Sequence, residues 1–176
     1  MLNRAVFLDR DGVINSVVFR NGKPASPRSL DEFRLELDIV APLERLSTSG
    51  IRLFVVTNQP DMARGLLAPQ TLAQINQQVM ARLPIEAIEI CPHDDRDDCQ
   101  CRKPRPGMLT TLAARSGVEL SNSFMIGDSR RDVEAARAAG CVAILLDRFY
   151  NRDADTDFRV SNLGEAAQLI LETLTQ

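Results

Sequence analysis

At 176 residues and 19.5 kDa, the chain is long enough for one well-filled core and too short for two ordinary domains without a visible linker, so one domain spanning 1–176 is expected. A net charge of -3 and an isoelectric point near 5.2 exclude the broad basic surface that binds nucleic-acid backbones unspecifically, while leaving room for a local basic pocket. Met1-Leu2-Asn3-Arg4 opens a short apolar run that meets Asp9 at once, and neither a signal-peptide core nor a membrane span fits there. The expectation is a cytoplasmic monomer with no nucleic-acid or membrane partner.

The first apolar run, residues 5–8, reads as a buried strand and ends at Asp9-Arg10-Asp11-Gly12. Ile39, Leu43 and Leu46 then fall at helical spacing before the turn Ser49-Gly50, and a second strand, 51–56, leads to Thr57-Asn58. After Pro69, well suited to a first helical turn, Leu72, Ile75, Val79 and Leu83 mark another helix. A strand at 85–90 enters Cys91, and Met108 and Leu112 mark a helix ending near Gly117. The strand 123–126 leads to Asp128, the alanine-rich helix 131–139 stops at Gly140, and the last buried strand is 142–146. Residues 151–157 read as a solvated polar connection. Asn162 and Glu165 are spaced as a capping box for a final helix burying Leu163, Ala167, Ile170 and Leu174.

Strands alternating with helices predict a doubly wound α/β fold, a parallel sheet covered on both faces, with ligands at the carboxyl ends of the strands. Asp9, Thr57-Asn58, Cys91 and Asp128 all fall at such ends. No insertion after the first or third strand is long enough for a cap domain, so loops alone are expected to shield the site.

Asp9 and Asp11, two residues apart past a buried strand, suit an aspartyl-phosphate mechanism: one carboxylate attacks phosphorus and the other handles the proton. A calcium loop fails on spacing, because Gly12 is fourth from Asp9 where an EF-hand has its glycine sixth, and Arg20 stands at the twelfth position where glutamate is needed. Cys91-Pro92-His93 and Cys99-Gln100-Cys101 hold three of the four cysteines and the one histidine, a closed tetrahedral set for a structural Zn²⁺ in a loop over residues 91–101. The aspartates of that loop, Asp94, Asp95, Asp97 and Asp98, read as solvated, and the metal is expected to position Lys103. Cys141 reads as a small hydrophobe. Arg64, Arg102 and Arg105 are candidates to meet a second phosphate, Arg102 first.

The segments Phe7-Leu8-Asp9-Arg10-Asp11-Gly12, Val55-Val56-Thr57-Asn58-Gln59, Lys103 and Gly127-Asp128 with Asp132 follow the order and context of the haloacid dehalogenase superfamily of phosphohydrolases, which this sequence resembles over most of its length. The resemblance implies a Rossmann-like sheet of that type and a Mg²⁺ ion held by Asp9, Asp11 and Asp128. It implies Asp9 as nucleophile, Asp11 as general acid/base, Thr57 and Asn58 as phosphoryl binders, and Lys103 as the neutralising cation. Asp132 is either an acid favoured by a helix N-terminus or a metal ligand. Within the superfamily, Cys91 to Pro104 resembles both the heptose-bisphosphate and the histidinol-phosphate phosphatases, which act on small phosphorylated metabolites. Pro104-Arg105-Pro106-Gly107-Met108-Leu109 and Ala63-Arg64-Gly65 favour the heptose group, although that group commonly carries Ser-Gly-Ile where this chain has Pro60-Asp61-Met62. A receiver-type phosphoacceptor is a distant alternative, since it needs neither Asp11 nor the cysteine loop.

Overall fold

In the computed structural model, which describes residues 3–173, the chain runs β1 (Ala5–Leu8), β2 (Val18–Arg20), β3 (Lys23–Ala25), α1 (Val40–Thr48), β4 (Arg52–Asn58), α2 (Pro69–Arg82), β5 (Ala87–Cys91), α3 (Gly107–Ser116), β6 (Phe124–Gly127), α4 (Arg130–Ala139), β7 (Val142–Leu146), β8 (Phe158–Val160) and α5 (Leu163–Thr173). Leu174, expected in the last helical face, lies outside the described residues. Among the described residues no helix is long and apolar enough to cross a membrane.

Six strands form a parallel sheet in the order β5-β4-β1-β6-β7-β8. Side-chain alternation divides its apolar residues between two cores. Val6, Leu8, Leu53, Val55, Ile126 and Ile144 pack with Leu43 and Leu46 of α1, Ile75 and Val79 of α2, and Ile170 of α5. Ala5, Phe7, Phe54, Val56, Met125 and Leu145 face the opposite way, onto Met108 and Leu112 of α3 and Val133 and Ala136 of α4. Phe7 and Phe54 are register partners and stack at 5.7 Å within this second core, and Cys141 is buried there. With both faces covered, the strands read as continuous apolar runs.

The chain leaves β1 toward β4 and β5 on one side and returns to β6 on the other, so the carboxyl end of β1 is a topological switch point where ligands collect. Three short strands escaped the apolar-run reading. β2 and β3 form a hairpin whose two-residue turn, Asn21-Gly22, has φ of 52° and 72°, the conformation that Asn-Gly favours. β8 is a three-residue edge strand. Among the described residues the hairpin is the one pair of named strands inserted between β1 and α1, and no large cap is present.

Candidate active site

Asp9 follows β1 directly, its amide donating to the Ile126 carbonyl of β6 at 2.9 Å. Its Oδ1 lies 2.8 Å from Lys103 Nζ, which also reaches Asp132 Oδ1 at 2.6 Å and donates to the Val56 carbonyl at 2.9 Å. Carboxylate oxygens of Asp9, Asp128 and Asp132 lie within 4.8 Å of one another. Burial lifts the Asp9 carboxyl well above its ordinary pKa; Lys103 opposes the shift, and Asp132, Asp128 and Asp11 add to it. Burial, with Asp132 beside it, pushes Asp128 up to about 7. Burial works against the Lys103 charge, yet Asp132 and Asp9 more than compensate and hold the ammonium protonated. Lys103 and Arg10 answer only two of the four carboxylates Asp9, Asp11, Asp128 and Asp132, so a divalent cation fits this donor set by charge and by its hard oxygens.

The Asp11 carboxylate is held in a hydrogen-bond network of its own. Its carboxylate accepts from Arg10 Nε and Nη2 at 3.1 Å each, Asn15 Nδ2 at 3.0 Å and Gln59 Nε2 at 2.8 Å. Among the described residues, the carboxylates that converge are those of Asp9, Asp128 and Asp132, without Asp11. Burial raises the Asp11 pKa, but Arg10 and the bonds from Ser26, Asn15 and Gln59 outweigh it and keep the group ionised below its ordinary range. In this form Asp11 is a base. Asp132 takes the helix-terminus role: its Oδ2 caps α4 by accepting from Ser129 N at 3.0 Å and Asp128 N at 3.2 Å, while Oδ1 pairs with Lys103. Gly127 makes this possible, because a Cβ there would fall 2.2 Å from Asp132 Cβ.

Thr57 is fully buried, its Oγ1 accepting from Gln59 Nε2 at 2.9 Å. Asn58 spends its amide on the backbone of Lys103: Oδ1 accepts from Lys103 N at 3.1 Å and Nδ2 donates to Lys103 O at 3.0 Å. The cation is therefore held through its main chain at the end of β4 as well as through the cysteine loop, which alone was expected to place it.

In that loop, Cys91 Sγ stands 3.5 Å from Cys99 Sγ and 3.6 Å from His93 Nδ1, while Cys101 Sγ stands 3.4 Å from Cys99 Sγ and 3.3 Å from His93 Nδ1. Tetrahedral zinc with its usual bond lengths has edges of about 3.8 Å between sulfurs and about 3.5 Å between sulfur and nitrogen, so the four donors are compatible with Zn²⁺. Sulfurs this far apart are not disulfide-bonded. Burial pushes the Cys91 thiol up to about 12. Cys99 is also raised by burial, but hydrogen bonds from Cys101, the Arg102 amide and Cys91 bring it down to about 7.

The loop aspartates are not merely solvated. Asp94 binds Arg64 through both oxygens, at 2.7 and 2.9 Å, Asp95 binds Arg102 Nε at 2.8 Å, Asp98 pairs with Arg105, and Asp97 accepts from the Asp94 amide at 2.7 Å. The three candidate arginines are thus tied to the cysteine loop. Arg64 and Arg102 still line a cavity of about 750 Å³ that opens over Asp9, Asp11, Lys103 and Asp128; Arg105 does not. Arg102 is buried and also donates to the His93 carbonyl at 3.1 Å.

Several site residues carried no recognisable signal in the sequence. Ser26, Lys23 and Pro24 reach the cavity from the hairpin, and Arg131 from α4. Asp61 accepts from Arg28 at 2.7 Å and from Arg64 at 3.3 Å on the cavity rim. The segment 151–157 is a brace rather than a solvated connection: Asn151 is buried, donating to the Asp128 carbonyl at 2.7 Å and the Leu146 carbonyl at 2.8 Å. Tyr150 donates its hydroxyl to Asp128 Oδ2. Arg10 and Gln59 stood within the recognised segments, but nothing in their spacing announced that they hold Asp11.

A carboxylate at a switch point, a buried lysine against it and an acidic cluster fitted to a divalent cation suit a phosphoryl-transfer hydrolase of the haloacid dehalogenase type, and residues 100–175 match the Hydrolase_like family, described as HAD-hydrolase-like. The D-glycero-beta-D-manno-heptose-1,7-bisphosphate 7-phosphatase of Bordetella bronchiseptica is 36% identical over 148 residues, covering 81% of this chain and 80% of that protein. The enzyme of the same name from Rhodopseudomonas palustris is 36% identical over 163 residues, 86% of each chain. The crystal structure of D,D-heptose 1,7-bisphosphate phosphatase from B. bronchiseptica, complexed with magnesium and phosphate, superposes with a TM-score of 0.84 at 30% identity, covering 98% of this chain and 99% of that one. The chain belongs to the D-glycero-beta-D-manno-heptose-1,7-bisphosphate 7-phosphatase family of haloacid dehalogenase-like hydrolases.

Proposed function

We propose that the chain is a single-domain phosphomonoesterase that removes the 7-phosphate of D-glycero-beta-D-manno-heptose 1,7-bisphosphate through an aspartyl-phosphate on Asp9, leaving the anomeric phosphate in place. The observation that carries this reading is the pairing of Asp9 Oδ1 with Lys103 Nζ at 2.8 Å, beside Asp128, at the end of the central strand. Asp9 attacks phosphorus and the bond from phosphorus to the C7 oxygen breaks; water then attacks the acyl phosphate, releasing inorganic phosphate and restoring the carboxylate. Asp11, ionised in the free site, takes the proton of that water. The incoming phosphate of the next substrate favours the protonated form, and Asp11 returns the proton to the leaving oxygen.

Mg²⁺ suits the donors Asp9 and Asp128, and bound there it neutralises phosphoryl oxygens. Lys103 fixes the orientation of Asp9 and adds positive charge beside it. Thr57 and Asn58, at the end of β4, are proposed to meet the phosphoryl group, and Arg102 and Arg64 the second phosphate at the cavity wall. A structural Zn²⁺ on Cys91, His93, Cys99 and Cys101 would hold the loop that carries both Arg102 and the partner of Arg64.

Asp9→Asn is expected to abolish phosphate release while the circular dichroism spectrum and melting temperature stay native-like. A variant with full turnover refutes Asp9 as nucleophile. A kcat/KM higher on histidinol phosphate than on the heptose bisphosphate refutes the substrate.

A further inference from the structure

The loop following β7 reaches the acidic cluster at three points. Tyr150 donates its hydroxyl to Asp128 Oδ2, Asn151 Nδ2 donates to the Asp128 carbonyl at 2.7 Å, and Arg148 Nη2 donates to the Gly12 carbonyl at 3.0 Å. The loop is itself tightly held. Asn151 Oδ1 accepts from Arg148 N at 3.0 Å and Arg159 Nη1 at 3.1 Å, and Arg159 Nη2 donates to the Ala154 carbonyl at 2.6 Å. The Tyr150 ring also meets Phe19 of β2 edge-on at 6.2 Å, and Phe149 stacks on Phe19 at 5.4 Å.

These contacts converge on Oδ2 of Asp128. Gly12 lies so close that a Cβ there would fall 2.0 Å from Asp128 Oδ2 and 3.1 Å from the Tyr150 hydroxyl, so only glycine leaves room for Oδ2 to sit beside the phenol. Moving Oδ2 away breaks the bond to Tyr150. With Oδ2 occupied by the phenol, Oδ1 is the oxygen left to face a cation. Mg²⁺ demands a near-octahedral set of single oxygens, whereas the larger Ca²⁺ readily takes both oxygens of one carboxylate.

We propose that Tyr150 is a positioning residue that holds Asp128 in a one-oxygen presentation and so sets the preference of the site for Mg²⁺ over Ca²⁺. The inference rests on Asp128 being a Mg²⁺ ligand, as the proposed function has it. Tyr150 acts through Asp128 and leaves the phosphoryl chemistry to Asp9 and Asp11.

The test is titration calorimetry of the full chain, without substrate, using Mg²⁺ and Ca²⁺ separately on the native protein, Tyr150→Phe and Phe149→Ala. Tyr150→Phe keeps the ring and removes the hydroxyl. Its Mg²⁺ affinity is expected to fall on the order of tenfold, the usual scale for losing a hydrogen bond behind a metal ligand. Ca²⁺ affinity is expected to stay within about threefold, because a freed carboxylate can supply its second oxygen to the larger ion. Phe149→Ala, at a ring 67% exposed, removes the ring contacts with Phe19 and, at 5.3 Å, with Tyr150 itself but leaves the Tyr150 hydroxyl in place, and is expected to leave both affinities unchanged. Equal losses for the two cations, no loss in Tyr150→Phe, or the same loss in Phe149→Ala overturns the inference. A native chain that binds Mg²⁺ while Tyr150→Phe binds it equally well refutes Tyr150 alone, whereas a native chain that binds neither cation refutes the proposed metal chemistry itself.

Discussion

Replacing Lys103 with methionine keeps most of the side-chain volume and removes a charge that is 2% exposed and within 2.8 Å of two buried carboxylates, Asp9 and Asp132. Removing one partner of a buried ion pair costs about 3–5 kcal/mol, since the remaining charge is left unpaired in a poorly solvating interior. For a chain of this size that corresponds to a fall of roughly 6–20 °C in melting temperature. The loss depends on pH in a definite direction. Without the ammonium the folded-state pKa of Asp9, already raised by burial, rises further above its unfolded value, and a raised acid favours the fold only at low pH. The deficit is therefore small at low pH and grows as the pH rises and the folded Asp9 carboxyl is forced to ionise. Thermal denaturation of native and variant protein at several pH values, without divalent cations, measures this. Adding Asp132→Asn to the variant is expected to recover part of the loss. A deficit below about 1 kcal/mol, the scale of an exposed pair, or one that does not change with pH, refutes the assignment of Lys103 as the neutralising cation of the cluster.

Gly12→Ala introduces a Cβ within 2.0 Å of Asp128 Oδ2 at a φ of +91°; it is expected to lower phosphate release by more than tenfold and to weaken Mg²⁺ binding, and a variant with native metal affinity contradicts the packing of Gly12 against Asp128. In metal-free protein, Cys99, brought down to about 7, is expected to be alkylated by iodoacetamide before Cys91 and Cys141, both pushed up to about 12, with a rate that rises through pH 7. Peptide mass mapping decides this, and Zn²⁺ is expected to protect Cys99. First modification at Cys91 or Cys141 contradicts the electrostatics of the loop.

The sheet was legible because its strands are buried on both faces: residues 5–8 contain nothing but apolar side chains, and both neighbours of Asp9 in space, the ends of β4 and β6, close similar runs. The hairpin of β2 and β3 was not, because three-residue strands with half-exposed side chains leave no apolar run, although Asn21-Gly22 is the turn that such a hairpin needs. The clustering of Asp9 with Lys103 and Asp128, and of the three cysteines with His93, was readable from residue type and order. The direction in which Asp11 points was not, since it depends on how Arg10 and Asn15 of its own loop and Gln59 from beyond β4 converge on it. Composition misled for Asn151, and it hid the arginine partners of Asp94 and of the solvent-exposed Asp95 and Asp98. Polar residues are solvated by default, and the partners that bury or pair these ones come from elsewhere in the fold, Asp128 for Asn151 and Arg64, Arg102 and Arg105 for the aspartates.

The clamp of Asn58 on the Lys103 peptide ties the ammonium to the end of β4 by two hydrogen bonds that involve no cysteine or histidine. The stretch of residues 92–101 is then mechanically separable from the lysine that follows it: a change in its length or packing need not carry Lys103 out of register with Asp9.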